Sequence, residues 1–189
     1  MFQVRIHGRG GQGVVTGAEL LSVAAFLEGR YSQAFPSFGS ERMGAPVVAF
    51  CRISEREIRL REPVTQPDAI IIQDPTLLHQ VDLFRGLSKS GAILINSTKS
   101  HMELGLAELA DISRLMTVPA TEIALRHIGR PLPNSALLGG FSALSGKIGI
   151  DSLLEAIAQK FSGKTGRDNQ AAAGAAYRFV LEIIHAAAA

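Results

Sequence analysis

The sequence predicts an α/β fold with an open, mostly parallel but mixed sheet, a strand, glycine loop and helix at its start, and a helical C-terminal portion. Three observations support this class: a glycine-rich turn between a β-prone run and a helical pattern, two short and wholly apolar runs, and alternating strand and helix signals up to residue 133. The length of 189 residues, 47% of them hydrophobic, suits one domain spanning residues 1–189.

The chain opens with a short β-prone run, Phe2–His7, followed by the glycine loop Gly8–Gly13. The next segment, Val14–Leu27, ends before Gly29 and has helical spacing of its apolar residues. The predicted buried stripe of this helix consists of Val14, Ala18, Leu21, Ala25 and Phe26.

Two further strands are predicted at Tyr31–Phe35 and Val47–Ile53, on either side of the Gly-, Ser- and Pro-rich loop Pro36–Pro46. After a turn at Glu55, Ile58–Leu60 reads as a short return strand that would form a hairpin with Val47–Ile53. A strand of this kind makes the predicted sheet mixed.

The apolar runs Ala69–Ile72 and Ala92–Ile95 suit central strands that are buried on both faces. Between them, a helix is predicted to start at Pro75 and end before Gly86, with apolar residues Leu77, Leu78, Val81 and Phe84 at helical spacing. A further strand, Leu115–Val118, precedes a helix at Ala120–Ile128. From Asn134 onward three helices are predicted to cover the sheet: Ser135–Ser145, Asp151–Phe161 and Asn169 to the alanine tail.

Composition excludes several classes of protein. Nineteen Lys and Arg residues against 17 Asp and Glu leave a net charge of +2, which does not suggest a nucleic-acid partner. The single cysteine, Cys51, excludes an internal disulfide and a four-thiolate metal or iron-sulfur site. No apolar run approaches the roughly 20 residues of a membrane span, and no signal peptide is visible. We therefore expect a cytoplasmic protein.

Gly8, Gly10 and Gly13 match the pattern G-x-G-x-x-G between a strand and a helix. In that context the backbone amides of the loop and of the first helical turn can bind an anion, and phosphate is the usual one. The alternative is a tight turn without a ligand. Four glycines within six residues favour ligand binding.

Two familiar nucleotide sites fit less well. A nicotinamide-binding site needs an acidic residue at the end of the second strand, where this chain has Phe35-Pro36-Ser37. A triphosphatase loop would need a glycine at Ala158, five residues before Gly163-Lys164-Thr165. These differences weaken the interpretation as a free-standing dinucleotide-binding oxidoreductase, which we keep as an alternative.

Other polar residues allow two interpretations each. Arg42, next to Glu41 in the long loop, either binds an anion beside the glycine loop or belongs to a surface ion pair. Asn96, Ser97 and Thr98 follow a central strand and either contact a ligand or cap a helix. His7 and Cys51 are expected to be packed structural residues.

Two longer blocks carry a more specific pattern: Gly8-Arg9-Gly10-Gly11-Gln12-Gly13, and the segment Gln33-Ala34-Phe35-Pro36-Ser37-Phe38-Gly39-Ser40-Glu41-Arg42-Met43-Gly44-Ala45-Pro46. They resemble the gamma subunit of the 2-oxoacid:ferredoxin oxidoreductases, most nearly the pyruvate type. Asn134–Gly140 and Asn169–Phe179 also look like later segments of that family. Met43 stands where a second arginine is more usual, so the loop is less charged than in the family.

The resemblance implies one subunit of an enzyme that oxidatively decarboxylates a 2-oxoacid to acyl-coenzyme A. Thiamine diphosphate, Mg²⁺ and iron-sulfur clusters would lie in alpha, beta and delta-type partner subunits, and ferredoxin or another acceptor would take the electrons. This chain would help to bind coenzyme A, and the residues carried over to that role are Gly8, Arg9, Gly10, Gly11, Gln12, Gly13, Glu41 and Arg42. A gamma subunit with a purely structural role is the second alternative.

Overall fold

The computed structural model describes residues 1–37, 43–88, 90–109 and 114–188. One six-stranded sheet has the strand order β2-β3-β1-β4-β5-β6. The strands are β1 (Phe2–Arg9), β2 (Tyr31–Pro36), β3 (Pro46–Ser54), β4 (Ala69–Ile72), β5 (Ala92–Asn96) and β6 (Arg114–Val118). The helices are α1 (Val14–Leu27), α2 (Ala120–Ile128), α3 (Asn134–Ser145), α4 (Ile150–Lys160) and α5 (Gly163–Ala188).

The sheet is mixed because β3 runs antiparallel to both of its neighbours, β1 and β2. The strands β1, β4, β5 and β6 pair in parallel, as expected for an α/β fold. The predicted return strand Ile58–Leu60 is wrong, since these residues form no strand. Both edges of β3 are already paired, so Ile58–Leu60 has no edge to join, and the hairpin is formed by β2 and β3 instead.

One face of the sheet is covered by the five described helices, which share a single apolar core with alternate residues of β1, β3, β4 and β5 and with Val118 of β6. α3 lies at the centre of this layer and is buried along almost its whole length. It packs closely on α5, because a Cβ atom built on Gly139 would lie 1.9 Å from the carbonyl oxygen of Ala173. The predicted helical covering of the sheet is confirmed.

Two details of these helices differ from the sequence prediction. Phe26 was placed on the buried stripe of α1 but is 72% exposed, while Leu20 and Ala24 are buried. The buried face therefore ends one residue earlier, at Ala25. α5 begins at Gly163 and not at Asn169, which adds nearly two turns at its N-terminus.

The opposite face of the sheet is covered by loops. Ile70, Ile72, Ile93 and Ile95 form a smaller apolar cluster there with Leu77 and Leu83 from the segment after β4. The predicted helix from Pro75 to Gly86 is wrong, since only a short 3-10 helix forms at Pro75–His79. Its apolar residues do not share one face: Leu77 and Leu83 are buried, but Val81 is exposed. Over the part of the chain that is described, no helix is long and apolar enough to cross a membrane.

Candidate functional site at the glycine loop

The glycine loop lies at the carboxyl end of β1, where the sheet changes direction. From β1 the chain crosses through α1 to β2 on one side, whereas β4 pairs with β1 on the other side. Ligands of open α/β sheets bind at such a point, beyond the carboxyl ends of the strands. The antiparallel strand β3 separates β1 from β2, so the end of β2 is not beside the loop. This arrangement argues against the ribose-binding geometry of a dinucleotide site.

Steric constraints explain two of the glycines. Gly13 is the N-cap of α1 with φ 75°, a left-handed conformation that favours glycine. A Cβ atom on Gly13 would also lie 2.8 Å from Nδ2 of Asn134, the first residue of α3. At Gly8, a Cβ atom would lie 2.6 Å from Cγ2 of Val14. The loop and the starts of two helices can thus approach only because these residues lack side chains.

The first turn of α1 presents backbone amides without partners. Gly13 offers no side chain to accept from them, and the first helical hydrogen bond runs from Gly17 N to Gly13 O at 2.9 Å. Within the described residues, the amides of Val14, Val15 and Thr16 therefore have no acceptor. The first turn also contains no acidic residue, so its positive dipole end is not neutralised.

Two cavities flank the loop. One, of about 420 Å³, is lined by Gly10, Gly11, Gly13, Met43 and the first turn of α1. The other, of about 410 Å³, lies between Gly11–Gly13 and the starts of α3 and α5, with Arg130, Asn134 and Lys164 in its wall. Both volumes fall in the usual range for small-molecule sites.

The second cavity contains groups that can bind an anion. Asn134 is only 7% exposed, and its side-chain amide lies at the start of α3 next to Gly13. Arg130 is exposed and has no ion pair with a described residue, whereas Lys164 is 2.5 Å from the carboxylate of Asp168. Gly163-Lys164-Thr165, the incomplete triphosphatase motif, therefore lies at a helix start beside the glycine loop.

The side chains of Arg9 and Gln12 bind protein atoms of the loop and its surroundings. Arg9 Nε donates to Asp74 Oδ2 at 3.1 Å, and Gln12 Nε2 donates to the same oxygen at 2.9 Å. Gln12 Oε1 accepts from the backbone N–H of Arg9 at 2.8 Å. Both side chains are therefore held by the protein itself, although Arg9 lines the first cavity and Gln12 the second.

The long loop after β2 returns against the glycine loop. Gly10 N donates to Ala45 O at 2.9 Å, Gly44 N donates to Gly10 O at 3.2 Å, and the Arg9 guanidinium donates to Gly44 O. Glu41 and Arg42 lie outside the described residues. The structure thus brings the adjoining residue Met43 to the first cavity and leaves the predicted roles of Glu41 and Arg42 as predictions.

His7 and Cys51 are both buried, as the sequence suggested. Burial, followed by the charge of Arg5, lowers the pKa of His7 to about 3, so its imidazole is neutral at pH 7. Burial raises the pKa of the Cys51 thiol to about 12, which leaves it protonated. Neither residue lines the two cavities beside the glycine loop.

Asn96 has a structural role of the kind considered from the sequence. Its Oδ1 accepts from the backbone N–H of Thr121, in the first turn of α2, at 3.0 Å. Its Nδ2 donates to Gln73 O and to Thr121 Oγ1, both at 2.8 Å. Asn96 thus caps a helix that begins 24 residues later, while Ser97 accepts from Lys99 N in a local turn.

Sequence reasoning missed Asp74, Arg130 and Asn134. Asp74 had a recognisable signal, because it closely follows the buried strand Ala69–Ile72 and strand ends are where ligand-site residues concentrate. Arg130 and Asn134 flank the pair Pro131 and Pro133 after α2, and no local pattern links that turn to a loop 120 residues earlier.

Fold and site together define an α/β chain with a glycine loop and a helix start at the switch point of its sheet. The model of the family described as "Pyruvate ferredoxin/flavodoxin oxidoreductase" matches residues 3–179. The chain is 46% identical over 177 residues, 94% of this chain and 96% of the relative, to the "Pyruvate/ketoisovalerate oxidoreductases common subunit gamma" of Pyrococcus furiosus. The chain belongs to the pyruvate ferredoxin/flavodoxin oxidoreductase family and is similar to its gamma subunits, which confirms the resemblance found in the sequence.

Solved structures agree on the fold. The crystal structure of pyruvate oxidoreductase subunit PORC from Thermotoga maritima aligns with a TM-score of 0.81 at 33% identity, covering 94% of this chain and 95% of that one. A 2-oxoglutarate:ferredoxin oxidoreductase from Magnetococcus marinus, described with 2-oxoglutarate, coenzyme A and succinyl-CoA bound, aligns with a TM-score of 0.72 at 16% identity. The alignment covers 96% of this chain and 31% of that longer chain, and at this identity it shows the fold alone.

Proposed function

We propose that residues 1–189 form one domain that acts as the gamma subunit of a 2-oxoacid:ferredoxin oxidoreductase and holds coenzyme A at the glycine loop. The enzyme would convert pyruvate or a related 2-oxoacid to acyl-coenzyme A and carbon dioxide. The observation that carries the site is the set of unpartnered amides at Val14, Val15 and Thr16, which open onto two cavities.

The residues present fit the phosphates of coenzyme A. The helix start offers amide donors and a positive dipole end to the diphosphate. Arg130 and the amide of Asn134 add donors to the neighbouring cavity, where a further phosphate of the same ligand can bind. Gly10 and Gly11 line the first cavity and let the backbone come close to the ligand, while Gly8 lets the loop pack on Val14. In this proposal Arg42 adds a guanidinium clamp, with Glu41 beside it.

The contribution of this chain to the reaction is binding and orientation. Coenzyme A supplies the thiol that accepts the acyl group. By holding the diphosphate on fixed amides, the glycine loop would restrict the positions that the thiol end of the molecule can reach. The translational and rotational entropy of coenzyme A is then lost on binding and not in the acyl-transfer step. Thiamine diphosphate, Mg²⁺ and iron-sulfur clusters would lie in alpha, beta and delta-type subunits, in the cytoplasm, with ferredoxin or another acceptor as oxidant.

The experiment that tests the coenzyme A site compares Gly13→Ala with Gly29→Ala in the assembled enzyme. Gly13 lies directly before α1 and Gly29 two residues after its end, with φ values of 75° and 76°, so alanine brings similar backbone strain at both. Only the Gly13 methyl group would contact Asn134, since nothing lies within 4 Å of a Cβ atom at Gly29. We expect Gly13→Ala to raise the KM for coenzyme A about tenfold, equivalent to about 1.4 kcal/mol, with the KM for the 2-oxoacid unchanged.

Arg42→Ala, measured alongside, should also raise the KM for coenzyme A if Arg42 forms the clamp. If neither Gly13→Ala nor Arg42→Ala changes that constant while the enzyme still assembles, the chain is a structural gamma subunit and the proposed site is wrong. An equal effect of Gly29→Ala would also count against the site, because it would trace the change to helix strain.

A further inference from the structure

Asp74 lies just beyond β4 at the point where the sheet changes direction. The backbone N–H of Gln73 still donates to His7 O at 2.8 Å, so the pairing of β1 with β4 extends to Gln73, directly before Asp74. This extension places the Asp74 carboxylate beside the glycine loop, with the side chain 13% exposed. The sequence separation between Asp74 and Arg9 is 65 residues.

Both oxygens of Asp74 are used. Oδ2 accepts from Arg9 Nε and from Gln12 Nε2, the two polar side chains of the glycine loop. Oδ1 accepts from the backbone N–H of Thr76 at 3.0 Å and from Thr76 Oγ1 at 2.6 Å. These hydrogen bonds hold the carboxylate in one orientation. Through Arg9 and Gln12 the carboxylate in turn binds residues near both ends of the glycine loop.

The ring of hydrogen bonds closes through Arg9. Gln12 Oε1 accepts from the backbone N–H of Arg9, and Arg9 Nη2 donates to Thr76 Oγ1 at 2.6 Å and to Gln80 Oε1 at 3.0 Å. The Arg9 guanidinium also reaches Gly44 O at 3.0 Å. Both loop side chains are therefore drawn toward the β4 side, and the amide of Gly13 and those of the first turn of α1 remain free.

Charge supports the same arrangement. Burial alone would raise the pKa of Asp74, but hydrogen bonds from Thr76 and Gln12 and the charge of Arg9 together lower it. The carboxylate is thus ionised at neutral pH, and Arg9 neutralises it. Without Arg9, a negative charge would lie next to a site for phosphate.

We propose that Asp74 is a positioning residue for the coenzyme A site: by binding Arg9 and Gln12 it holds the glycine loop in the shape that leaves the amides of Gly13 and of the first turn of α1 free for the diphosphate. This inference rests on the proposed function for its ligand. The hydrogen bonds that carry it belong to this chain alone, so its effect on the loop can be measured separately.

The test compares Asp74→Ala with Asp68→Ala in the assembled enzyme. Asp68 lies at the other end of β4, where Oδ2 accepts from the backbone N–H of Gln3 in β1 at 2.8 Å. Both variants remove a partly buried carboxylate that links β1 or its following loop to β4, and only Asp74 touches the glycine loop. Asp74→Asn keeps one oxygen acceptor and serves as the conservative variant if Asp74→Ala does not assemble.

Hydrogen exchange, measured by mass spectrometry, reports on the loop itself. We expect Asp74→Ala to speed exchange at least tenfold in a peptide covering residues 8–16, with Asp68→Ala like the unaltered enzyme there. In steady-state kinetics, Asp74→Ala should raise the KM for coenzyme A about tenfold with the KM for the 2-oxoacid and kcat nearly unchanged, and Asp74→Asn should fall between.

Two results would overturn the inference: unchanged exchange at residues 8–16 in Asp74→Ala, or a KM for coenzyme A that stays constant in Asp74→Ala while Gly13→Ala raises it. If exchange rises in Asp74→Ala but neither variant affects that KM, the loop is held by Asp74 and the coenzyme A site itself is wrong. The two failures are therefore distinguishable.

Discussion

The two faces of the sheet are built in different ways. On the helical face, the five described helices and five strands share one apolar core that includes the wholly buried Phe141 and Leu21. On the loop face, the apolar cluster is much smaller, and buried polar groups lie beside it. Arg5 donates there to the carbonyl oxygens of Leu83 and Arg85, and Arg52 donates to Glu62 O at 2.6 Å.

The helical face is determined by local sequence patterns, whereas the loop face is determined by contacts between residues that are distant in sequence. Helical spacing of apolar residues is local in sequence, and it is enough to build the helical face. The loop face depends on arginine side chains that bind backbone carbonyls up to 80 residues away. These carbonyl oxygens lie in loops, where no helix or strand supplies a donor. The buried arginine side chains donate the hydrogen bonds in its place.

The largest effect is expected at the closest packing of the helical face. Gly139→Ala would place a methyl group 1.9 Å from Ala173 O and force α3 and α5 apart. We expect this substitution to lower the free energy of unfolding by about 3 kcal/mol. The measurement is denaturant unfolding of the purified chain.

Gly174→Ala on α5 is the matched control, because the nearest atom to its Cβ would be Arg178 Nη1 at 3.5 Å. Alanine in that open helical position should stabilise the chain by about 0.5–1 kcal/mol. A destabilisation by Gly139→Ala no greater than that of ordinary surface changes would mean that α3 and α5 do not pack as closely as described.

The smaller effect concerns the loop face and depends on pH. The folded-state pKa of His7, about 3, lies below the value of 6.5 expected in the unfolded chain. Between pH 6.5 and 3 the imidazole is therefore protonated in the unfolded chain but not in the folded one. The contribution of His7 to the free energy of unfolding is fully present above pH 6.5 and is lost as the pH falls toward 3. Between pH 4 and 6, His7→Leu should lower the slope of the free energy of unfolding against pH by about 1.4 kcal/mol per pH unit.

Unfolding curves of the unaltered chain and of His7→Leu at several pH values between 4 and 7 check this prediction. His127→Leu, an exposed change in the last turn of α2, controls for the loss of a histidine elsewhere. Parallel slopes for the unaltered chain and His7→Leu would show that His7 is protonated in the folded state, and the burial assigned to this face would be wrong.

How far the sequence predicts this molecule follows from the same contrast. The strand, glycine loop and helix at residues 2–27 were predicted nearly to the residue, because turn glycines and helical spacing are local signals. The helix at Pro75–Gly86 was wrong because its apolar residues looked helical, yet Asp74, Thr76 and the carbonyls held by Arg5 determine that segment.

The residues of the candidate site also fall into those that the sequence predicts and those that only the fold reveals. Gly8, Gly10 and Gly13 could be found from their spacing alone. The roles of Arg9 and Gln12 could not, since both depend on the pairing of β1 with β4, which brings Asp74 to the loop. Asn134 and Arg130 reach the second cavity through the packing of α3 against α1 and of α2 against α5, which no short motif encodes.

The most direct test of the central claim is to purify the tagged chain from its native host without oxygen. Subunit masses, iron and thiamine diphosphate content, and ferredoxin reduction with pyruvate in the presence and absence of coenzyme A are then measured. We predict recovery with larger partner subunits that carry iron and thiamine diphosphate, and reduction that requires coenzyme A. Recovery of the chain alone, without iron, thiamine diphosphate or activity, would contradict the assignment as a gamma subunit.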